Sequence, residues 1–259
     1  MGTRSPCWRS ARLSRSQIDF KILHSCRVSS TQAVARQLLG RGIELGTVVV
    51  ADEQDSGRGR CGRSWLSPLG GLYASVLLPA EPLLSLRLGI AVASALEGLG
   101  IPATLKWPND VLVRKRKIAG VLIDVVADVA IAGIGVNLSV VPFVGATSVA
   151  EESSCGIERD RLLDLILESL PWDAPERVLV RYGELSSTIG QIVRVESARG
   201  PDEAVVGRAH GLDPSGRLLV EVSGSLHVVA SGDCTHLEHE TDAGRECDGL
   251  RLDGAERER

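Results

Sequence analysis

Aromatic side chains are scarce in this chain: four Trp, two Tyr and two Phe among 259 residues. Each of those positions therefore carries information, and there is little material for the stacking platforms that single-stranded nucleic acids need. Long apolar runs are missing too. Nothing approaches the roughly 18 consecutive apolar residues of a membrane span, and no apolar signal region follows the first residues. The six cysteines, at 7, 26, 61, 155, 234 and 247, have neither the close pairs of a zinc site nor the dense spacing of a disulfide-stapled domain. A reducing, cytoplasmic setting is expected. Positive charge is not in excess either: the formal net charge is −4, which gives no general attraction to nucleic acid or anionic lipid. Any anion must be met by a local basic cluster.

What is present is ordinary globular material, 44% hydrophobic and 24% charged, in a length that fits one substantial core plus a small second unit. Residues 1–20 carry Arg4, Arg9, Arg12 and Arg15 with several serines. That composition fits a transit peptide, but the reading adopted is an unstructured segment. Apolar periodicity predicts helices from Thr31 to Leu39, Ser85 to Leu99, Arg159 to Leu170 and Glu176 to Leu185. Strands are predicted at Thr47 to Ala51, Leu72 to Leu78, Thr104 to Lys106, Ile118 to Val126 and Val129 to Asn137. Helices and strands do not alternate one for one, so an α+β domain with a mixed sheet covered by helices is expected over residues 21–188. From 189 to 239 short strands separated by turn clusters such as Asp213-Pro214-Ser215-Gly216 suggest a small closed barrel. The charged tail 240–259 is expected to be disordered.

Three strings carry chemistry. Gly57-Arg58-Gly59-Arg60-Cys61-Gly62-Arg63-Ser64-Trp65 interleaves arginines with glycines, so guanidinium groups and backbone N–H groups can curl around one anion. Alone it could equally be a solvated basic loop or a nucleic-acid contact. Lys106-Trp107-Pro108-Asn109-Asp110 places a lysine at a strand end before a proline turn. Lys117-Ile118-Ala119-Gly120-Val121-Leu122 and Gly133-Ile134-Gly135-Val136-Asn137 put glycines inside strands, where something approaches the backbone closely. Together they suggest a glycine-lined sheet face that accepts a flat ligand, with cations at its rim. Bringing a carboxylate to an α-phosphate costs about 4 kcal/mol at 4 Å for an effective dielectric near 20, which those cations would offset. His236 and His239 beside Cys234 are read as incidental, not as a metal site.

With Ser30-Thr31-Gln32 and Gln54 added, these strings stand in the order found in biotin protein ligases, and the chain resembles that family over about residues 22–238. The resemblance implies activation of biotin by ATP, with Mg²⁺, to biotinyl-5′-AMP, and transfer to a lysine of the carrier domain of a biotin-dependent carboxylase. It implies biotin contacts from Ser30, Thr31, Gln32, Gln54, Arg58, Gly59, Arg60, Lys106 and Gly120. Nucleotide contacts would come from Arg58, Arg60, Arg63, Trp65 and Asn137, and Lys106, Arg58 and Arg60 would be the catalytic cations. The terminal unit would be an SH3-like β-barrel. Family members usually have Asn where Gln32 stands, and an aromatic where Leu66 stands. Too few residues precede the match for a winged helix-turn-helix, so DNA binding is not expected; a monomer and a homodimer both remain open. The rival readings are a lipoate-type ligase of the same fold and, in another class, a nucleic-acid-binding module using the arginine-glycine loop.

Overall fold

The computed structural model describes residues 7–11, 18–153, 156–197 and 200–237. Its larger sheet runs in the order β1 (Cys7–Ala11), β2 (Phe20–Val28), β3 (Thr47–Gln54), β4 (Gly71–Pro79), β8 (Val129–Asn137), β7 (Arg116–Val126), β6 (Asp110–Val113) and β5 (Thr104–Lys106). Only β2 and β3 pair in parallel, and helix α1 (Thr31–Leu39) makes the crossover between them; every other neighbour is antiparallel. The fold is therefore mixed α+β. No helix among the described residues is long and apolar enough to cross a membrane.

The central strands are buried on both faces, and strand alternation divides their side chains between two layers. Val49, Leu77 and Ile131 pack with Ala35 of α1 on one face. Val48, Val50 and Val76 point to the other, under α2 (Leu84–Glu97), with α4 (Arg159–Glu168) and α5 (Pro175–Leu185) beyond it. Leu88, Val92 and Leu96 of α2 are fully buried, each contributing on the order of 1.5–3 kcal/mol by leaving water. Arg87 is buried in the same helix because Glu81 and the carbonyls of Pro171 and Asp173 take its guanidinium.

The smaller sheet has the order β12 (Ser225–Val229), β11 (Leu218–Val222), β10 (Gly200–Leu212), β9 (Ile192–Ser197) and β13 (Asp233–His236), all antiparallel. Among the described residues no ladder joins β12 to β13, so closure into the expected barrel is not shown. The Asp213 turn forms as its sequence suggests: the carboxylate accepts from the N–H groups of Ser215 and Arg217 and from the Arg217 side chain. Gly216 at its tip accepts from the Trp107 indole at 3.1 Å, which docks this sheet on the larger one.

Four strands escape the sequence reading. β1 pairs with β2 inside the segment 1–20 read as unstructured; the pairing is a backbone ladder, which composition does not foretell. β2, β6 and β13 are short or polar on one side and blend into their flanking loops. The rest of the two segments read as unstructured, residues 1–6, 12–17 and 240–259, lies outside the described residues, as do 238 and 239 at the end of the expected barrel.

Candidate active site

A cavity of about 220 Å³ opens on the α1 face of the larger sheet. One wall is the start of α1, where Ser30 is extended and the helix begins at Thr31. The Thr31 N–H and hydroxyl both donate to Gln54 Oε1, at 2.8 and 3.1 Å, and Ser75 Oγ donates to Thr31 Oγ1 at 2.9 Å. Gln54 Nε2 then donates to Ser67 Oγ, which donates to the Trp65 carbonyl. This chain of hydrogen bonds fixes Thr31 and Gln54 from two strands and a helix end. Gln32 Nε2 donates to the Ile131 carbonyl at 3.1 Å. Its Oε1, Ser30 Oγ and Trp65 Nε1 are buried without a partner among the described residues, and all three residues line the cavity. Each such group left unpaired costs about 1–3 kcal/mol, so a polar ligand placed here recovers that cost.

Gly120 of β7 and Gly135 of β8 lie opposite one another in the ladder. A Cβ at Gly135 would fall 2.6 Å from the Trp65 ring, and one at Gly120 2.9 Å from it. The flat group these glycines meet here is the protein's own indole, which shares the cavity wall with them. Gly133, two residue pairs along on the same face, makes room for the Gln32 amide in the same way. The 57–65 loop folds back on itself to deliver Trp65: Gly59 N–H donates to Arg63 O, Trp65 N–H to Gly57 O, and Cys61 and Gly62 take positive φ at the tip.

The lysine that lines the cavity, beside Arg58, Arg60 and Arg63, is Lys117. Its Nζ sits 5.2 Å from the Trp65 ring centroid and 2.6 Å from Asp110 Oδ1, with both side chains three-quarters buried. Lys106, the expected catalytic cation, does not line the cavity. Its charge acts on the terminal sheet instead, where it faces Cys234 and His236. At Lys117 the ladder of β6 and β7 shifts register between Val111↔Ala119 and Leu112↔Lys117, and a bulge of this kind re-aims the side chain beside it. Neither Lys117 nor Asp110 was singled out from the sequence, although both belong to strings that were.

The other expected residues fall into two groups. Ser30, Thr31, Gln32, Gln54, Arg58, Gly59, Arg60, Arg63, Trp65 and Gly120 line the cavity. Asn137 is buried behind it, donating from Nδ2 to the carbonyls of Lys117 and Thr147 at 3.3 and 3.0 Å, and so supports the lysine's backbone. Asn109 does the same for the opposite wall, donating from Nδ2 to the Val121 carbonyl at 2.7 Å. Arg60 donates to Asn109 Oδ1 and to the Gly232 carbonyl, and burial pulls its pKa below the usual arginine value. Arg63 pairs with Asp233 at 2.9 Å. No three His, Cys, Asp or Glu residues gather as a metal cluster among the described residues.

Residues 24–140 match the biotin/lipoate A/B protein ligase family, and residues 188–237 match the biotin protein ligase C terminal domain. A biotin–[acetyl-CoA-carboxylase] ligase of Mycobacterium tuberculosis is 36% identical over 234 residues, covering 82% of this chain and 87% of that protein. The enzyme of the same description from Paracoccus denitrificans is 32% identical, covering 80% and 97%. Among solved structures, biotin protein ligase from Aquifex aeolicus in complex with biotin and ATP aligns with a TM-score of 0.69 at 30% identity, covering 83% of this chain and 97% of that one.

Proposed function

The chain belongs to the biotin protein ligase family, and on that premise we propose that it activates biotin with ATP and transfers it to one lysine of a carboxylase carrier domain. In the first step a biotin carboxylate oxygen attacks the α-phosphorus, a carbon–oxygen–phosphorus anhydride forms, and the bond to pyrophosphate breaks. In the second, the carrier lysine's neutral amine attacks the acyl carbon; AMP leaves and the nitrogen loses a proton to give the amide. Neither step needs a protein nucleophile. What the first needs is a cation where two anions meet.

The observation that carries this reading is the pairing of a buried ammonium, Lys117, with a polar pocket whose Ser30 and Gln32 oxygens lack partners among the described residues. We assign the ring end of biotin to Ser30, Thr31, Gln32 and Gln54, and its carboxylate to Lys117 in place of Lys106. Arg58 takes the phosphate side, because no protein partner among the described residues holds its guanidinium. Trp65 walls the biotin and Asn137 supports the nucleotide side through the Lys117 backbone. Mg²⁺ would enter on ATP, held mainly by phosphate oxygens and water. The terminal sheet corresponds, on this reading, to the family's SH3-like barrel.

The decisive experiment is biotin-dependent exchange of labelled pyrophosphate into ATP, with lipoate and octanoate run in parallel. Exchange with biotin alone is expected; equal exchange with lipoate would overturn the assignment.

A further inference from the structure

The three arginines of the 57–65 loop are not equivalent. Arg58 lines the cavity with no side-chain partner among the described residues, whereas Arg60 and Arg63 are both taken by the turn that enters β13: Arg60 donates to the Gly232 carbonyl at 3.2 Å, and Arg63 meets the Asp233 carboxylate at 2.9 Å. That turn is pressed against β9 so closely that a Cβ on Gly232 would fall 2.6 Å from the Glu196 carbonyl oxygen. The acceptors are therefore presented by a fixed piece of backbone, and the loop they hold is the one whose glycines and Trp65 line the cavity.

We infer that the Gly232-Asp233 turn latches the arginine-glycine loop over the cavity, so that the terminal sheet sets how long the acyl adenylate stays bound. The inference rests on the ligase reading above and extends it. A mixed anhydride is consumed by water or by any amine once it escapes, so its retention until the carrier lysine arrives is a requirement distinct from its formation. Asp233 does not line the cavity and acts through Arg63; it is a positioning residue. The Arg63–Asp233 pair is more than half exposed, so its loss should change retention by a small factor and not abolish it. Reversing the charge at Asp233 should do more, because it sets a cation against both Arg60 and Arg63.

The test uses the full chain charged with biotin and ATP, freed of excess substrate, and followed for release of biotinyl-AMP. Asp233→Asn should release it about two- to fivefold faster, the range a half-exposed ion pair supplies. Asp233→Lys should release it more than about tenfold faster, as like charges brought together repel. The rate of adenylate formation should change less than about twofold in either variant, since no group touching the reacting atoms is altered. The exchanged pair Arg63→Asp with Asp233→Arg should restore retention. Amide hydrogen exchange across residues 57–65 should rise in Asp233→Lys and fall back in the exchanged pair, a readout independent of turnover. Parent-like release from Asp233→Lys, or no recovery in the exchanged pair, overturns the latch. A parent chain that forms no adenylate overturns the ligase reading and the latch with it.

Discussion

At the scale of single residues, two lysines eleven positions apart have different fates. Lys117 reaches into the cavity against Asp110, while Lys106 faces Cys234 and His236. Replacing Lys117 with Met keeps most of the stem and removes the charge. Adenylate formation at saturating biotin and ATP should then fall about 10²- to 10³-fold, as for loss of a preorganised donor, while Lys106→Met should stay within about threefold because it sits outside the cavity. Stopped-flow measurement of the two variants decides it, and the opposite ranking would return the role to Lys106. The sequence could say that a lysine was needed, since both stand in distinctive strings. It could not say which, because a register shift in a short ladder is a tertiary outcome. The helix start at Thr31 was legible as a local feature, whereas Ser30, Thr31, Gln32 and Gln54 as ligand contacts came only from the family resemblance.

At the scale of elements, the floor of the site is a pair of glycines in register on β7 and β8. Gly135→Ala would drive a methyl into the Trp65 ring, and overpacking of this kind costs roughly 1–3 kcal/mol unless the ring moves. We expect the ring and its loop to move, so biotin binding measured by calorimetry should weaken more than about tenfold while the melting temperature drops by only a few degrees. Undiminished binding would show that Trp65 is not a wall of the pocket. Strand β13 offers a second test. His236 Nε2 lies 3.0 Å from Thr188 Oγ1, which itself accepts from the Trp107 N–H and so has its own proton free to give to a neutral imidazole. Burial, then Lys106 and Lys115, lower the His236 pKa. Below the ordinary histidine value of about 6.5 the unfolded chain binds a proton that the folded chain refuses, so stability falls as pH drops through that value and continues to fall until the lowered folded pKa is reached. His236→Gln should flatten this part of the profile in urea titrations run between about pH 7.5 and 5.5; an unchanged slope would remove His236 from the account. The long apolar helices and central strands were readable from periodicity, whereas β13, alternating and four residues long, has too little pattern to separate from a loop.

At the scale of the whole molecule, the two sheets share one core. Val193, Val195, Ala209, Leu218 and Val220 of the smaller sheet belong to the same buried cluster as Leu88 and Leu105 of the larger. The Trp107–Gly216 hydrogen bond and the side chains of Leu83 and Leu86 against Gly216 close the joint. A chain ending at residue 188 should therefore lose thermal stability as well as ligation, and calorimetry of the intact protein should give one transition, not two. A change in texture near residue 189 was visible in the sequence; a continuous core beneath it was not, because apolar residues name no partner. The seam has an evolutionary consequence. A portable module can be exchanged between chains at its linker, but here the junction is a packed surface contributed by both parts. A terminal sheet grafted from a relative would bring foreign side chains against Trp107, Leu83 and Leu86, so the two parts are constrained to drift in step, each substitution on one side of the joint narrowing what the other side can accept.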